Sequence, residues 1–180
     1  GRGAQKGILF KNSEALERAH SLSVIVLDKT GTLTLGQPSV TDIRTTDPGA
    51  GDWLLGLAAS AESGSEHPLG EAIVRAARER ELPVGSPQEF EAQSGAGILA
   101  RVEDQRVLLG NLRMMKQHRV HLNGLEEEAL RLQSQAKTAI WVALEDKAVG
   151  LIGVADTLKP GAREAVAQMR QLGLTVVMLT

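Results

Sequence analysis

Two short apolar runs, far apart in the chain, do most to limit what it can fold into: "SVIVLD" at residues 23–28 and "LTVVMLT" at residues 174–180. The second follows "LKPGAREAVAQMRQLG", an amphipathic helix pattern with Pro160 near its start and Gly173 at its end. Strand, helix and strand make the parallel α/β unit. If the runs at 24–27 and 174–179 lie side by side, Asp28 and Thr180 emerge together at the carboxyl edge of the sheet, where open α/β sheets bind ligands. A carboxylate at the mouth of a buried strand loses hydration unless a cation or hydrogen-bond donors meet it there. Asp28 is therefore read as a residue placed for chemistry, and the long stretch between the runs as an insertion.

The stretch "LGQPSVTDIRTTDPGAGD" after Thr34 carries Gly36, Pro38, Pro48, Gly49 and Gly51 among polar residues. That is loop chemistry, with a short strand expected near 40–43 and a domain boundary near Leu35. Beyond it the pattern predicts a helix over 53–61 and a second over 69–81. The second puts Ile73, Val74 and Ala77 on one face, with Pro68 in its first turn and Pro83 at its end. A hairpin follows, "GILARV" and "RVLLG" flanking "EDQ", then helical pieces near 112–117 and 125–135 and a second hairpin, "AIWVALEDKAVGLIGVA". A short amphipathic helix over 11–20 precedes the first strand. The expected organisation is a parallel α/β sheet built from segments 1–35 and 155–180, interrupted by a compact α+β domain over 36–154.

Composition removes several classes of partner. Twenty-two acidic and twenty basic residues leave a formal charge of -2, so no global field favours nucleic acid or an anionic membrane surface. The absence of cysteine excludes disulfides and thiolate metal sites and fits a reducing compartment. The longest apolar runs, at 24–27 and 54–59, fall far short of the ~20 residues a spanning helix needs, so no direct membrane insertion is expected. His20, His118 and His121 form no zinc or copper pattern and read as surface residues. The start at Gly1 without Met and the stop at Thr180 within an apolar run read as cuts through a longer protein.

The string "DKTGTLT" at residues 28–34 supplies the parts of a phosphoryl-accepting site. They are a nucleophile (Asp28), a cation (Lys29), a backbone carbonyl for a metal ion (Thr30), a glycine for tight approach (Gly31) and a phosphate donor (Thr32). For an ordinary aspartate before a turn, a charged strand end with a capped turn is the plainer reading. The whole string, however, resembles the phosphorylation signature of the P-type ATPases, a branch of the haloacid dehalogenase superfamily. The resemblance implies a Rossmann-like, haloacid-dehalogenase-like sheet, ATP as substrate, and Mg²⁺ held by Asp28 and Thr30. In the wider superfamily the residue two beyond the nucleophile is usually a second aspartate that hydrolyses the phosphoenzyme. Here it is Thr30, whose hydroxyl is a poor proton-transfer group near neutral pH. The aspartyl phosphate should then persist until another domain triggers its hydrolysis, as a pump requires.

Inside the insertion, "SEHPL" at residues 65–69 looks like the nucleotide-domain signature of the heavy-metal-transporting P-type ATPases, in its copper-pump form. A lone histidine at a helix start is by itself a cap or surface residue; beside Asp28, the resemblance makes His67 a group that packs against adenine. Glu62, five positions earlier, would accept from the adenine amine. Gly95 and Gly97 in "SGAGI" would let the nucleotide lie against bare backbone, although alone such a pair marks a bulge or turn. Gly110 and Asn111 match the remaining nucleotide position and alone read as a turn.

The resemblance thus implies the ATP-binding and phosphorylation portion of a copper-exporting pump. Cu⁺ would be bound only in parts outside this chain, and the partners would be the pump's own actuator and membrane domains. Its place would be the cytoplasmic face of a membrane, in a protein integral to a bacterial inner membrane. The Lys and the Gly-Asp-Gly-x-Asn-Asp loop that complete the family's Mg²⁺ site are expected beyond Thr180, which resembles the first residue of the family's Thr-Gly-Asp. A fragment of this kind should bind nucleotide with little turnover. Because the ion-selecting ligands belong to membrane helices, zinc, cobalt and silver are the alternatives to copper. A soluble phosphohydrolase and a non-catalytic nucleotide-binding module are the other readings; Thr30 and the large insertion argue against the first.

Overall fold

The structure, a computed structural model, describes residues 5, 7 and 13–179. The chain divides into two compact units. One takes the segments up to Gly36 and from Leu158 on; the other is Gln37–Thr157.

In the first unit, α1 (Ser13–His20) leads into β1 (Val24–Asp28), and α6 (Ala162–Gln171) leads into β8 (Thr175–Leu179). The two strands pair in parallel, Val24 opposite Thr175 and Asp28 opposite Leu179. The crossover expected from the two apolar runs is therefore present, with Asp28 at the carboxyl end of its strand. Thr180 lies outside the described residues, as does most of the segment before Ser13. The expectation of a buried β1 is corrected. Exposure alternates along the strand, leaving Val24 and Val26 48% and 52% exposed and Met178 and Leu179 of β8 55% and 59%. Among the described residues this sheet has two strands, so each apolar side chain meets one neighbouring strand and one face is left uncovered.

The second unit is a six-stranded sheet in the order β2-β7-β6-β5-β4-β3. Its strands are β2 (Thr34–Thr45), β3 (Glu89–Gln93), β4 (Gly97–Val102), β5 (Gln105–Gly110), β6 (Thr138–Leu144) and β7 (Lys147–Leu158). Pairing from β3 through β7 is antiparallel throughout. The strand period of two sends alternate side chains to opposite faces. Val107, Leu109, Ile140, Val142 and Ile152 pack with Leu54, Leu55, Ala58, Ile73 and Ala77 of α2 (Gly51–Glu62) and α3 (Pro68–Glu79). Leu108, Trp141, Ala143 and Leu151 pack on the other face with Met114, Met115 and Leu132 of α4 (Leu112–Gln117) and α5 (Glu126–Ser134). The central strands are thus apolar on both faces, which is why they read in sequence as nearly continuous hydrophobic runs.

One element is longer than its sequence suggests. Where a loop with a short strand near 40–43 is expected, β2 runs for 12 residues through Gly36 and Pro38. It is an edge strand, and an edge tolerates a proline that cannot donate to a ladder. Side chains secure it: the Ser39 and Thr41 hydroxyls donate to the Ala155 and Gly153 carbonyls of β7. Arg75 of α3 reaches the Pro38 carbonyl, and Asp42 and Arg44 pair with Lys137 and Glu128.

Candidate functional site

A cavity of about 520 Å³ opens in the second unit, lined by all six nucleotide candidates: Glu62, His67, Gly95, Gly97, Gly110 and Asn111. Its size falls in the range of small-molecule pockets. Three structural facts bring five of the six together. Glu62 ends α2 and His67 begins α3. Gly97 opens β4 directly opposite Gly110, the last residue of β5. Asn111 follows at once and caps α4.

Glu62 is the group with most to gain from a ligand. It is 8% exposed, and its Oε2 is buried without a hydrogen-bond partner among the described residues. Burial raises its pKa, while the neighbouring Ser65 hydroxyl and the charge of His67 pull it down. The carboxyl fits there because α3 carries a glycine beside it: a Cβ on Gly70 would stand 2.4 Å from Oε2. A buried acceptor with no donor is costly to keep, and an exocyclic amine is the kind of group that would satisfy it.

His67 does two things at once. Its Nδ1 accepts from the Leu69 N–H at 3.2 Å, capping α3, and Pro68 supplies the first helical residue. With Nδ1 accepting, a ring carrying one proton holds it on Nε2, and the residue lines the cavity. The plain reading of His67 as a cap is therefore correct without excluding a ligand role.

The glycines divide. Gly97 has φ 148°, and a Cβ there would lie 2.0 Å from the Leu109 carbonyl oxygen and 2.5 Å from the Gly110 Cα. A Cβ on Gly110 would in turn meet the Ala96 carbonyl at 2.4 Å and the Met114 Sδ at 2.6 Å. The two glycines are demanded by each other's backbone and by Met114, a packing reason the sequence does not display. Gly95, with φ 67°, is less crowded: the nearest atom to a Cβ there would be the Arg113 Nη2, at an ordinary contact distance of 3.9 Å. Asn111 ties the loop together: its Oδ1 accepts from the Met114 N–H at 3.0 Å, and its Nδ2 donates to the Gly95 carbonyl at 2.9 Å. Thr138 and Ile140 of β6 also line the cavity. Nothing in their local sequence marks them; the order of strands alone brings them there.

The second candidate site is the loop after β1. Thr30 (φ -77°, ψ 122°) and Gly31 (φ 75°, ψ -13°) form a type II turn, which requires a positive φ at its third position and so selects glycine. Asp28 is exposed, and its side chain makes no capping bond to the turn, so the plain reading as a capped strand end does not hold. The Gly31 N–H of this turn donates inward, to the Thr34 Oγ1 at 3.2 Å. Thr34 is 1% exposed and donates to the Lys29 carbonyl at 2.9 Å, so it pins the loop from within. Lys159 does so from the far segment, its Nζ on the Gly31 carbonyl and its N–H on the Leu33 carbonyl. Sequence reading missed both residues as loop supports; Thr34 at least stands inside the signature string. Lys29, half-buried, and Thr30 and Thr32, exposed, flank Asp28 on this loop.

Known proteins resemble this chain along its whole length. A family model described as haloacid dehalogenase-like hydrolase matches residues 22–180. Over its full length the chain is 44% identical to a copper-exporting P-type ATPase of Bacillus subtilis and 41% identical to a silver-exporting P-type ATPase of Salmonella typhimurium. It spans 22% of each of those relatives. The solved structure of a zinc-transporting PIB-type ATPase in its E2.Pi state superposes with a TM-score of 0.89 at 35% identity, covering 99% of this chain and 29% of that one. The chain therefore belongs to the haloacid dehalogenase-like hydrolases, among relatives that are heavy-metal P-type ATPases.

Proposed function

We propose that this chain is the ATP-binding and phosphorylated portion of a heavy-metal-exporting P-type ATPase, with copper as the cargo. The observation that carries the reading is the single cavity holding Glu62, His67, Gly95, Gly97, Gly110 and Asn111, with the unpartnered Glu62 Oε2 buried in its wall. Adenine offers an amine to that acceptor and a flat face to His67. Guanine would set a carbonyl oxygen against the carboxylate instead.

In the reaction, an Asp28 carboxylate oxygen attacks the γ-phosphorus of ATP. The new O–P bond makes an aspartyl phosphate, and the bond to the β-phosphate breaks to release ADP. The donors available at the loop are oxygens, an exposed carboxylate and backbone carbonyls, which suits a hard cation. Among the described residues no cluster of three or more His, Cys, Asp or Glu groups forms. Asp28 and the Thr30 carbonyl would therefore hold Mg²⁺ together with water and substrate oxygens. When bound, the ion supplies charge neutralisation at the transferring phosphoryl group. Lys29 adds a cation beside the nucleophile, and Thr32 offers its hydroxyl to the phosphate. Thr30 stands where a hydrolytic aspartate would act, so the phosphoenzyme is stable until an actuator domain of the whole pump engages it. Copper rests on "SEHPL" and on relatives such as that of Bacillus subtilis; the whole protein would sit in a bacterial inner membrane with this portion on the cytoplasmic face. No helix among the described residues is long and apolar enough to cross a membrane.

Calorimetric titration tests the reading. The chain should bind ATP in preference to GTP, and His67→Gln should weaken ATP binding by about tenfold, the scale of one aromatic contact. Equal affinity of the parent and His67→Gln for ATP would overturn it.

A further inference from the structure

We propose that Arg113 is the cation that receives the phosphate tail of the nucleotide, an assignment that rests on the nucleotide reading of the cavity. Among the described residues the ionisable groups in the cavity wall are Glu62 and His67, and no lysine or arginine lines it. A polyphosphate carries several negative charges, and contacts at the base end leave them unmatched. Binding it without a cation would forgo most of the favourable electrostatics available to such a ligand.

Arg113 stands at the lip. It is exposed, in the first turn of α4, and its Nη2 donates to the Gly95 carbonyl at 3.2 Å. The same nitrogen lies 3.9 Å from where a Cβ on Gly95 would stand. The guanidinium therefore lies beside bare backbone that is itself cavity wall.

The bond it makes there is redundant. The Gly95 carbonyl also accepts from the Asn111 Nδ2 at 2.9 Å, and Asn111 is held in place by the Met114 N–H on its Oδ1. If Arg113 swings toward a ligand, Gly95 keeps a donor and the loop keeps its tie to α4, so the movement orphans nothing. The other guanidinium donors make no hydrogen bond among the described residues. A planar fork with free donors matches two phosphate oxygens at once.

The test compares adenosine, AMP, ADP and ATP, titrated without added metal into the 180-residue chain, Arg113→Ala and Arg113→Lys. The parent should bind ATP more tightly than adenosine. Arg113→Ala should weaken ATP by about tenfold or more while changing adenosine by less than about twofold, the signature of a charge-assisted bond made only to phosphate. Arg113→Lys should recover part of the loss, and thermal melting should be unchanged in both variants. If Arg113→Ala weakens adenosine as much as ATP, the residue only braces the loop and the proposal fails. It fails also if ATP binding is unchanged in the variant, or if the parent binds ATP no better than adenosine. A parent chain that binds neither ligand would instead remove the nucleotide reading itself, and this assignment with it.

Discussion

Gly97→Ala is the substitution whose consequence follows most directly from the geometry. Its Cβ would stand 2.0 Å from the Leu109 carbonyl oxygen, 2.5 Å from the Gly110 Cα and 2.8 Å from the Met114 Sδ. The sulfur ends a flexible side chain and can move. The other two atoms are backbone of β5, paired residue for residue with β4, and cannot retreat without breaking the ladder. Overpacking costs ~1–3 kcal/mol, and a backbone conformation that L residues rarely adopt costs ~1–3 kcal/mol more, so the expected loss is about 2–6 kcal/mol. Against a typical domain stability of ~5–15 kcal/mol, that is a large fraction. Gly95→Ala is the internal control. Its φ of 67° is also left-handed, but nothing lies closer than 3.9 Å, so it should lose only ~1–2 kcal/mol. Urea unfolding followed by the fluorescence of Trp141, 1% exposed in the core of this unit, reads both. If Gly97→Ala lost no more than Gly95→Ala, the mutual packing of Gly97 and Gly110 would not be the reason for either glycine.

Radiolabelled ATP and Mg²⁺, followed by an acid quench, should leave only a small amount of hydroxylamine-sensitive label on the parent chain and none on Asp28→Asn; label surviving in the variant would place the nucleophile elsewhere. Residues 37–157, produced alone, should fold and bind ATP with the affinity of the whole chain, because both apolar clusters and all six cavity candidates lie within that unit; an unfolded product would refute its independence. Burial raises the pKa of Glu62 above its ordinary 4.5, so its contribution is full below that value and is lost as pH rises through the raised pKa. Glu62→Gln should flatten this decline in urea midpoints and leave the acid side alone. Glu128 runs the other way: the Arg131 hydrogen bond holds it at about 2, so its contribution is present above 4.5 and is lost as pH falls toward about 2. Removing it should shift acid stability by less than ~1 kcal/mol, since the pair is partly solvated.

Local chemistry made a good deal of this legible in the chain itself. The apolar run ending at Asp28, the helix between Pro160 and Gly173, the amphipathic 69–81 stretch and the two hairpins each depend on neighbours a few residues away, and each is where periodicity places it. "DKTGTLT" and "SEHPL" are likewise contiguous, so Asp28, Thr30 and His67 could be named without coordinates. β2 departs from the local reading because Gly36 and Pro38 are loop residues by local preference, whereas a sheet edge with β7 beside it accepts them. β1 was expected to be buried because an apolar run shows what a strand could cover, not how many strands and helices are there to cover it.

What only the tertiary structure decided are relations between residues distant in the chain. The pairing of Gly97 with Gly110, the placing of Thr138 and Ile140 in the cavity wall, the support of the Gly31 loop by Lys159 and the nearness of Arg113 to Gly95 all depend on strand order and register. So does the state of Glu62. The sequence supplies a carboxylate at a helix end, but its raised pKa and its unpartnered oxygen arise because α3 packs the small Gly70 against it and excludes water. Period, capping and turn chemistry act within a few residues and are written in the string; desolvation and steric demand are set by what the fold brings alongside.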